Sequence, residues 1–275
     1  MKTISLLLPI LLLLLGCSQK KVAASKPLVF VSIAPLSGLA KEIVGEQVSV
    51  ITLVGKGQSP HSYEPSAKQM TQLGDAKLFF TVGLPFENHL LEKITPLYPS
   101  LRVVKAQTGI QLNQSDPHLW MSPANAIVLV KNMTRELKKI DPAHADLYQK
   151  NSDQLIQHLS ETDRAIREQL APYAGKTFYV FHPAFGYFAQ SYHLKQRAIE
   201  LDGKAPSAQQ LAQLIQQAKA AHVHVIFVQK QFPTRAVEAV AKAIDGVVIP
   251  LDPLAEDLAK NFRHIADHLE KGLKK

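Results

Sequence analysis

The chain of 275 residues contains a single cysteine. That excludes an internal disulfide framework and any zinc module built on cysteine clusters. Glycine (13) and proline (17) occur in ordinary numbers, which excludes collagen-like and low-complexity classes. No Gly-rich loop of the P-loop or dinucleotide-binding type is present. No apolar run reaches the roughly 20 residues that a membrane-spanning helix needs. The longest, Leu6 to Leu15, has ten residues and is interrupted by Pro9. What is there is a chain with 46% hydrophobic and 20% charged residues, enough for a buried core and too apolar for wholesale disorder. The length suits one large domain or two ordinary ones. Lys and Arg outnumber Asp and Glu by 31 to 23, for a net charge of +8. We read this basic excess as a solubility feature and expect no nucleic-acid partner.

Lys2 followed by a short apolar stretch is the pattern of a secretory signal. The stretch ends in Leu14-Leu15-Gly16-Cys17. That ending resembles the lipobox of bacterial lipoproteins. The resemblance implies loss of residues 1–16 and a diacylglycerol on the Cys17 thiol. Residues 17–26, with Lys20, Lys21, Ser25 and Lys26, then form a polar tether. An ordinary signal peptide with a chance cysteine is the alternative. The expected location is extracytoplasmic and membrane-anchored, in a periplasm or on the outer face of the cytoplasmic membrane.

Beyond the tether, short β-rich runs alternate with helix-like segments. The runs are 28–33, 48–54, 77–82 and 102–106, then 177–181, 196–201, 223–228 and 246–250. Such alternation predicts βαβ units and parallel sheets. The middle of the chain differs. Ser122-Pro123 is a helix start, an oxygen-bearing cap followed by Pro where no N–H is needed. Asp141-Pro142 repeats that signal, and no Gly or Pro follows until after Leu170. Tyr148, Leu155, Leu159, Ile166 and Leu170 form a helical stripe there. About 30 residues would make a rod of roughly 45 Å. Segments 207–220, 234–244 and 254–273 also read as helices. The expected fold is α/β: two similar lobes with mainly parallel sheets, 27–122 and 173–275, joined by a helical linker, 123–172, with a ligand site in the cleft between them.

Open parallel sheets bind ligands beyond the carboxyl ends of their strands. Filtering for polar residues at those places gives His61 and Glu64 after the second run and His118 after the fourth. It also gives His182 at the end of the fifth and Asp252 after the eighth. Three imidazoles and a carboxylate suit a borderline divalent transition metal, with zinc the best fit and manganese or iron alternatives. Pro60, Pro65, Pro117, Pro183 and Pro253 stiffen the loops that carry them. Glu64 is expected to hydrogen-bond within its loop. His222 and His224 share a strand face at the wrong strand end. His264 and His268 are spaced i, i+4 on the last helix and are expected to be solvated. His89, His144, His158 and His193 are expected at the surface. Trp120, Phe185, Tyr187 and Phe188 are expected to pack around the ligands.

The segments HSYEPS, DPHLWMSPANA, FHPAFGYFA and LDPLA together resemble the metal-binding lipoproteins of zinc and manganese ABC importers, the ZnuA/TroA-like (cluster A-I) substrate-binding proteins. The resemblance covers essentially the whole mature chain. It implies a metal held in the cleft by His61, His118, His182 and Asp252, a rigid connecting helix, and no catalytic turnover. It also implies an ABC permease with its ATPase as partner, reached by a monomer anchored through Cys17. Manganese members often carry a carboxylate where His182 stands, which favours zinc. Two departures stand out. The His- and acid-rich loop of many zinc members is absent before DPHLW, and a Glu common after the seventh strand is replaced by Gln229. A zinc hydrolase with Glu64 as base, and an adhesin or scaffold lipoprotein with a structural metal, are the rival readings.

Overall fold

The structure, a computed structural model, describes residues 26–274 except 56, 114–115, 201–206, 221–222 and 230–233. Cys17, the signal segment, most of the tether and His222 lie outside the described residues.

Among the described residues, eight short strands form two parallel sheets of four. The first contains β1 (Leu28–Val31), β2 (Ser49–Thr52), β3 (Leu78–Thr81) and β4 (Arg102–Lys105), in the order β2-β1-β3-β4. The second contains β5 (Thr177–Val180), β6 (Lys195–Ala198), β7 (Val225–Val228) and β8 (Val247–Pro250), in the order β6-β5-β7-β8. The two orders are the same topology used twice, so the expected repeat of architecture is present. Central strands β1, β3 and β7 are buried nearly end to end, as strands covered on both faces must be. Edge strands β2, β4, β6 and β8 are only half-buried.

The helices of the first lobe have local reasons for their ends. Helix α1 (Ala34–Val44) has Pro35 in its first turn and stops at Gly45, whose φ of 56° lies in the left-handed region. Helix α2 (Ala67–Gly74) opens with a reciprocal capping box between Ser66 and Gln69. Helix α3 (Pro85–Leu97), which periodicity did not suggest, begins beside the buried Glu87. Its carboxylate accepts hydrogen bonds from the backbone N–H groups of Val82, Gly83 and Leu84 at 2.7–3.2 Å. Helix α4 (Pro123–Ile140) starts at Ser122, whose Oγ accepts from Asn125 N.

The long helix α5 runs over Ala145–Leu170, 26 residues or roughly 39 Å. It is shorter than expected because Pro142–His144 winds as a 3-10 turn before it. The predicted stripe is its buried face: Tyr148, Leu155, Leu159, Ile166 and Leu170. The first half lies on α1 and α4, where Asn151 Nδ2 donates to Ile43 O at 3.0 Å. The second half lies on α9 (Leu258–Leu273), where Gln169 Nε2 donates to Asp267 and Glu270 at 2.9 and 2.8 Å. One rod therefore braces both lobes. The second lobe is completed by α6 (Gly186–Ser191), α7 (Ala208–Ala220) and α8 (Thr234–Ala243).

The lobes also meet directly. The loop after β8 lies against α1: Ser37 Oγ and Lys41 Nζ donate to Glu256 Oε1 at 3.1 and 2.6 Å. Gly38 is required there, since a Cβ on it would lie 1.9 Å from the Glu256 carbonyl oxygen.

Candidate metal centre

The strand-end loops bring three imidazoles to one point. His61 sits in a 3-10 turn (Pro60–Ser62) whose entry is fixed by Pro60 and by Ser59 Oγ, which accepts from His61 N. His118 immediately precedes a second 3-10 turn (Leu119–Met121). His182 stands two residues past β5. His61 Nε2 lies 3.0 Å from His182 Nε2, and His182 Nε2 lies 3.2 Å from His118 Nε2. One ligand nitrogen from each residue falls within 4.8 Å of the others.

Behind two of the rings stand carboxylates. His118 Nδ1–H donates to Asp116 Oδ1 at 2.8 Å, and the same oxygen accepts from His118 N at 2.9 Å. His182 Nδ1 is 2.5 Å from Glu200 Oε1. Both Glu200 and the two rings are buried. A carboxylate on Nδ1 fixes the proton there and leaves the Nε2 lone pair facing inward. Two such lone pairs 3.2 Å apart repel unless a cation lies between them. A tetrahedral ion with Zn–N bonds of about 2.05 Å separates its nitrogens by roughly 3.3 Å, close to what the rings present. The donor set therefore fits a first-row divalent ion.

Gln229, the unexplained departure, has a definite place. Its Oε1 accepts from His182 N at 3.2 Å and its Nε2 donates to His182 O at 2.7 Å. The neutral amide satisfies both backbone groups of the ligand residue, which a carboxylate could not do. Trp120 is fully buried beside His118, with ring centroids 5.4 Å apart, and its Nε1–H donates to Pro253 O at 2.8 Å. Phe185 and Phe188 are buried but do not line the ligand cavity as expected: Phe188 packs against Tyr192 and Phe262, and Tyr187 OH accepts from Asn113 N at 2.7 Å.

Asp252 stands apart from the compact set. Its neighbours Pro253 and Leu254 line the cavity with His61, His118 and His182, but its carboxylate is not within the 4.8 Å group. Its Oδ1 accepts from Leu254 N at 2.9 Å, capping its own turn, and its carbonyl accepts from Asn261 Nδ2 at 2.7 Å. Glu64 is exposed and outside the cluster, so it does not stand at the ion position. His224 is exposed just before β7, at the strand end away from the cleft.

The ring of His61 is turned against the two buried imidazoles, although the residue stays partly open to solvent. Burial first, then the neighbouring His182 and His118, hold its pKa down to about 4. Burial also holds His118 below the usual imidazole range, against the pull of Asp116. The window for proton competition thus moves down from the usual imidazole value of about 6.5. Between about 6.5 and 4 the unfolded chain takes up a proton at this position that the folded one refuses. Stability of the metal-free protein should therefore fall as pH drops through that window, while metal uptake persists at pH 5.5 and is lost toward pH 4. Melting curves and metal titrations from pH 7 to 4 check both. Half-loss of uptake near pH 6.5 would contradict the geometry.

Comparison with known proteins gives the family. The family described as "ZnuA: Zinc-uptake complex component A periplasmic" matches residues 29–272. The high-affinity zinc uptake system protein ZnuA of Bacillus subtilis is 30% identical over 82% of this chain and 77% of its own length. The zinc-binding lipoprotein AdcA of Streptococcus pneumoniae is 31% identical over the whole chain, which spans 60% of the length of AdcA. A crystal structure of ZnuA superimposes with a TM-score of 0.86 at 34% identity, over 90% of this chain and 99% of that one. The chain belongs to the ZnuA family of metal-binding proteins.

Proposed function

We propose that the protein captures zinc from the extracytoplasmic space at His61, His118 and His182 and hands it to an ABC permease driven by a cytoplasmic ATPase. The observation that carries this reading is the convergence of three Nε2 atoms at 3.0–3.2 Å, two of them backed by buried carboxylates. A nitrogen-rich set favours zinc over manganese, which prefers oxygen ligands. Asp252 is the fourth ligand. Its loop must release Leu254 N and turn the carboxylate toward the ion, a local movement that leaves α5 unbent. Residues 27–122 and 173–275 act as the two walls of the cleft and 123–172 as the brace. A lipid on Cys17 keeps the monomer near its permease and raises its effective concentration there.

Competitive titration of residues 27–275 with zinc and manganese tests the reading. One equivalent of zinc is expected, displaced by manganese only at large excess, with the metal-free protein still folded. Preference for manganese would move the cargo assignment. Unfolding on metal removal would make the ion structural and favour the scaffold reading.

A further inference from the structure

Outside the cleft, two more imidazoles share one face of α9. His264 and His268 are four residues apart, so a single helical turn stacks their side chains on the same side of the rod. Their ring centroids are 4.3 Å apart, closer than any two rings of the cleft, with planes at 79°. His264 is exposed and His268 half-buried. We propose that His264 and His268 form a second, solvent-facing chelate site for a divalent first-row transition metal such as zinc. This goes beyond the cleft reading and does not depend on it.

The spacing is the one by which a helix presents two histidines to a single ion. The backbone under the pair is held firmly. Leu258, Phe262, Ile265, Ala266 and Leu269 are buried on the opposite face, and Asp257 caps the first turn by accepting from Lys260 N. Asp267 and Glu270 are tied to α5 through Gln169. The two rings thus stand side by side on a fixed frame, so the ordering that remains when an ion arrives is confined to the side-chain torsions. Burial and the adjacent His264 and Lys271 hold the His268 pKa below the usual imidazole range, against the pull of Asp267. With Asp267 and Glu270 already bound by Gln169, water fills the remaining positions. Lys271 adds a repulsive charge. Both facts make the site weaker and faster to exchange than the cleft. The chain has no histidine-rich collecting loop before DPHLW, and the α9 pair supplies a surface foothold of the same chemistry.

Calorimetric titration of the untagged protein with zinc ion, continued past the first equivalent, tests this. A second, weaker equivalent is expected. H264Q/H268Q should abolish it and leave the first unchanged, and either single change should weaken it at least about tenfold, a loss of roughly 1.4 kcal/mol. Persistence of the second equivalent in H264Q/H268Q would overturn the assignment, as would a wild-type protein that takes a single ion which H264Q/H268Q still binds. If the cleft itself failed to bind, the sole equivalent would still disappear in H264Q/H268Q, so the two sites fail separately.

Discussion

Alanine in place of His182 should lower zinc affinity by about a hundred- to a thousandfold. A structural zinc ion held by four ligands is bound by roughly 10–16 kcal/mol, so one ligand accounts for about 3–4 kcal/mol. His182 is the central ring, within 3.2 Å of both other nitrogens, and its loss opens the cradle rather than its rim. Glu200→Gln provides the finer test. The side chain keeps its size and can still meet His182 Nδ1, but the negative charge that fixes the tautomer is gone. The expected cost is about 10- to 100-fold, the range typical of groups that orient a ligand. Asp116→Asn should fall in the same range through His118. Competition against a chromophoric chelator measures all three. A His182→Ala protein within tenfold of wild type would place the metal elsewhere.

Trp120→Ala should be the most damaging core substitution, destabilising the protein by about 3–5 kcal/mol. The indole is fully buried between the lobes and is the largest side chain in that class. Its removal leaves a cavity beside His118 and strips the Pro253 carbonyl of its donor. Trp120→Phe separates the two contributions. It keeps most of the packing and loses only the hydrogen bond, at a cost of about 1–2 kcal/mol. Because that bond ties the His118 loop to the Asp252 loop, zinc affinity should fall with stability in both variants. Urea unfolding with and without zinc checks this. A Trp120→Ala protein within 1 kcal/mol of wild type would mean that the interlobe seam can collapse around the gap.

Much of this site was legible because parallel strands end at the cleft: one rule pointed to His61, His118 and His182, which the structure brings together, and to Asp252, whose carboxylate lies outside that set. The same rule missed Glu200 for a physical reason. The sixth strand was expected to run over 196–201, which put Glu200 inside it. The observed β6 ends at Ala198, and Glu200 lies two residues beyond, where ligand-supporting groups belong. Asp116 had a local signal in its position two residues before His118, within hydrogen-bonding reach of both its ring and its backbone. Gln229 was noticed as a departure, but pairing with a backbone has no sequence signature. Strand boundaries ran one to three residues too long because apolar runs continue into the loops, as Leu53 and Val54 do after β2. Helix α3 escaped notice because Pro85 and Pro96 stand at its two ends and read as breakers. The 26-residue rod was legible because nothing in 143–170 interrupts its stripe.

The direction of β1 carries a mechanical consequence. All four strands of its sheet run toward the cleft, so Leu28 lies at the far pole and Lys26 leads away from it. Any mooring upstream of Lys26 grips the molecule by its keel, like a buoy on a short line with its mouth turned to open water. On the proposed reading, presenting that mouth to a permease in the same surface means turning the body about its mooring. The length of the line, more than any hinge within the body, would then set how often it can do so.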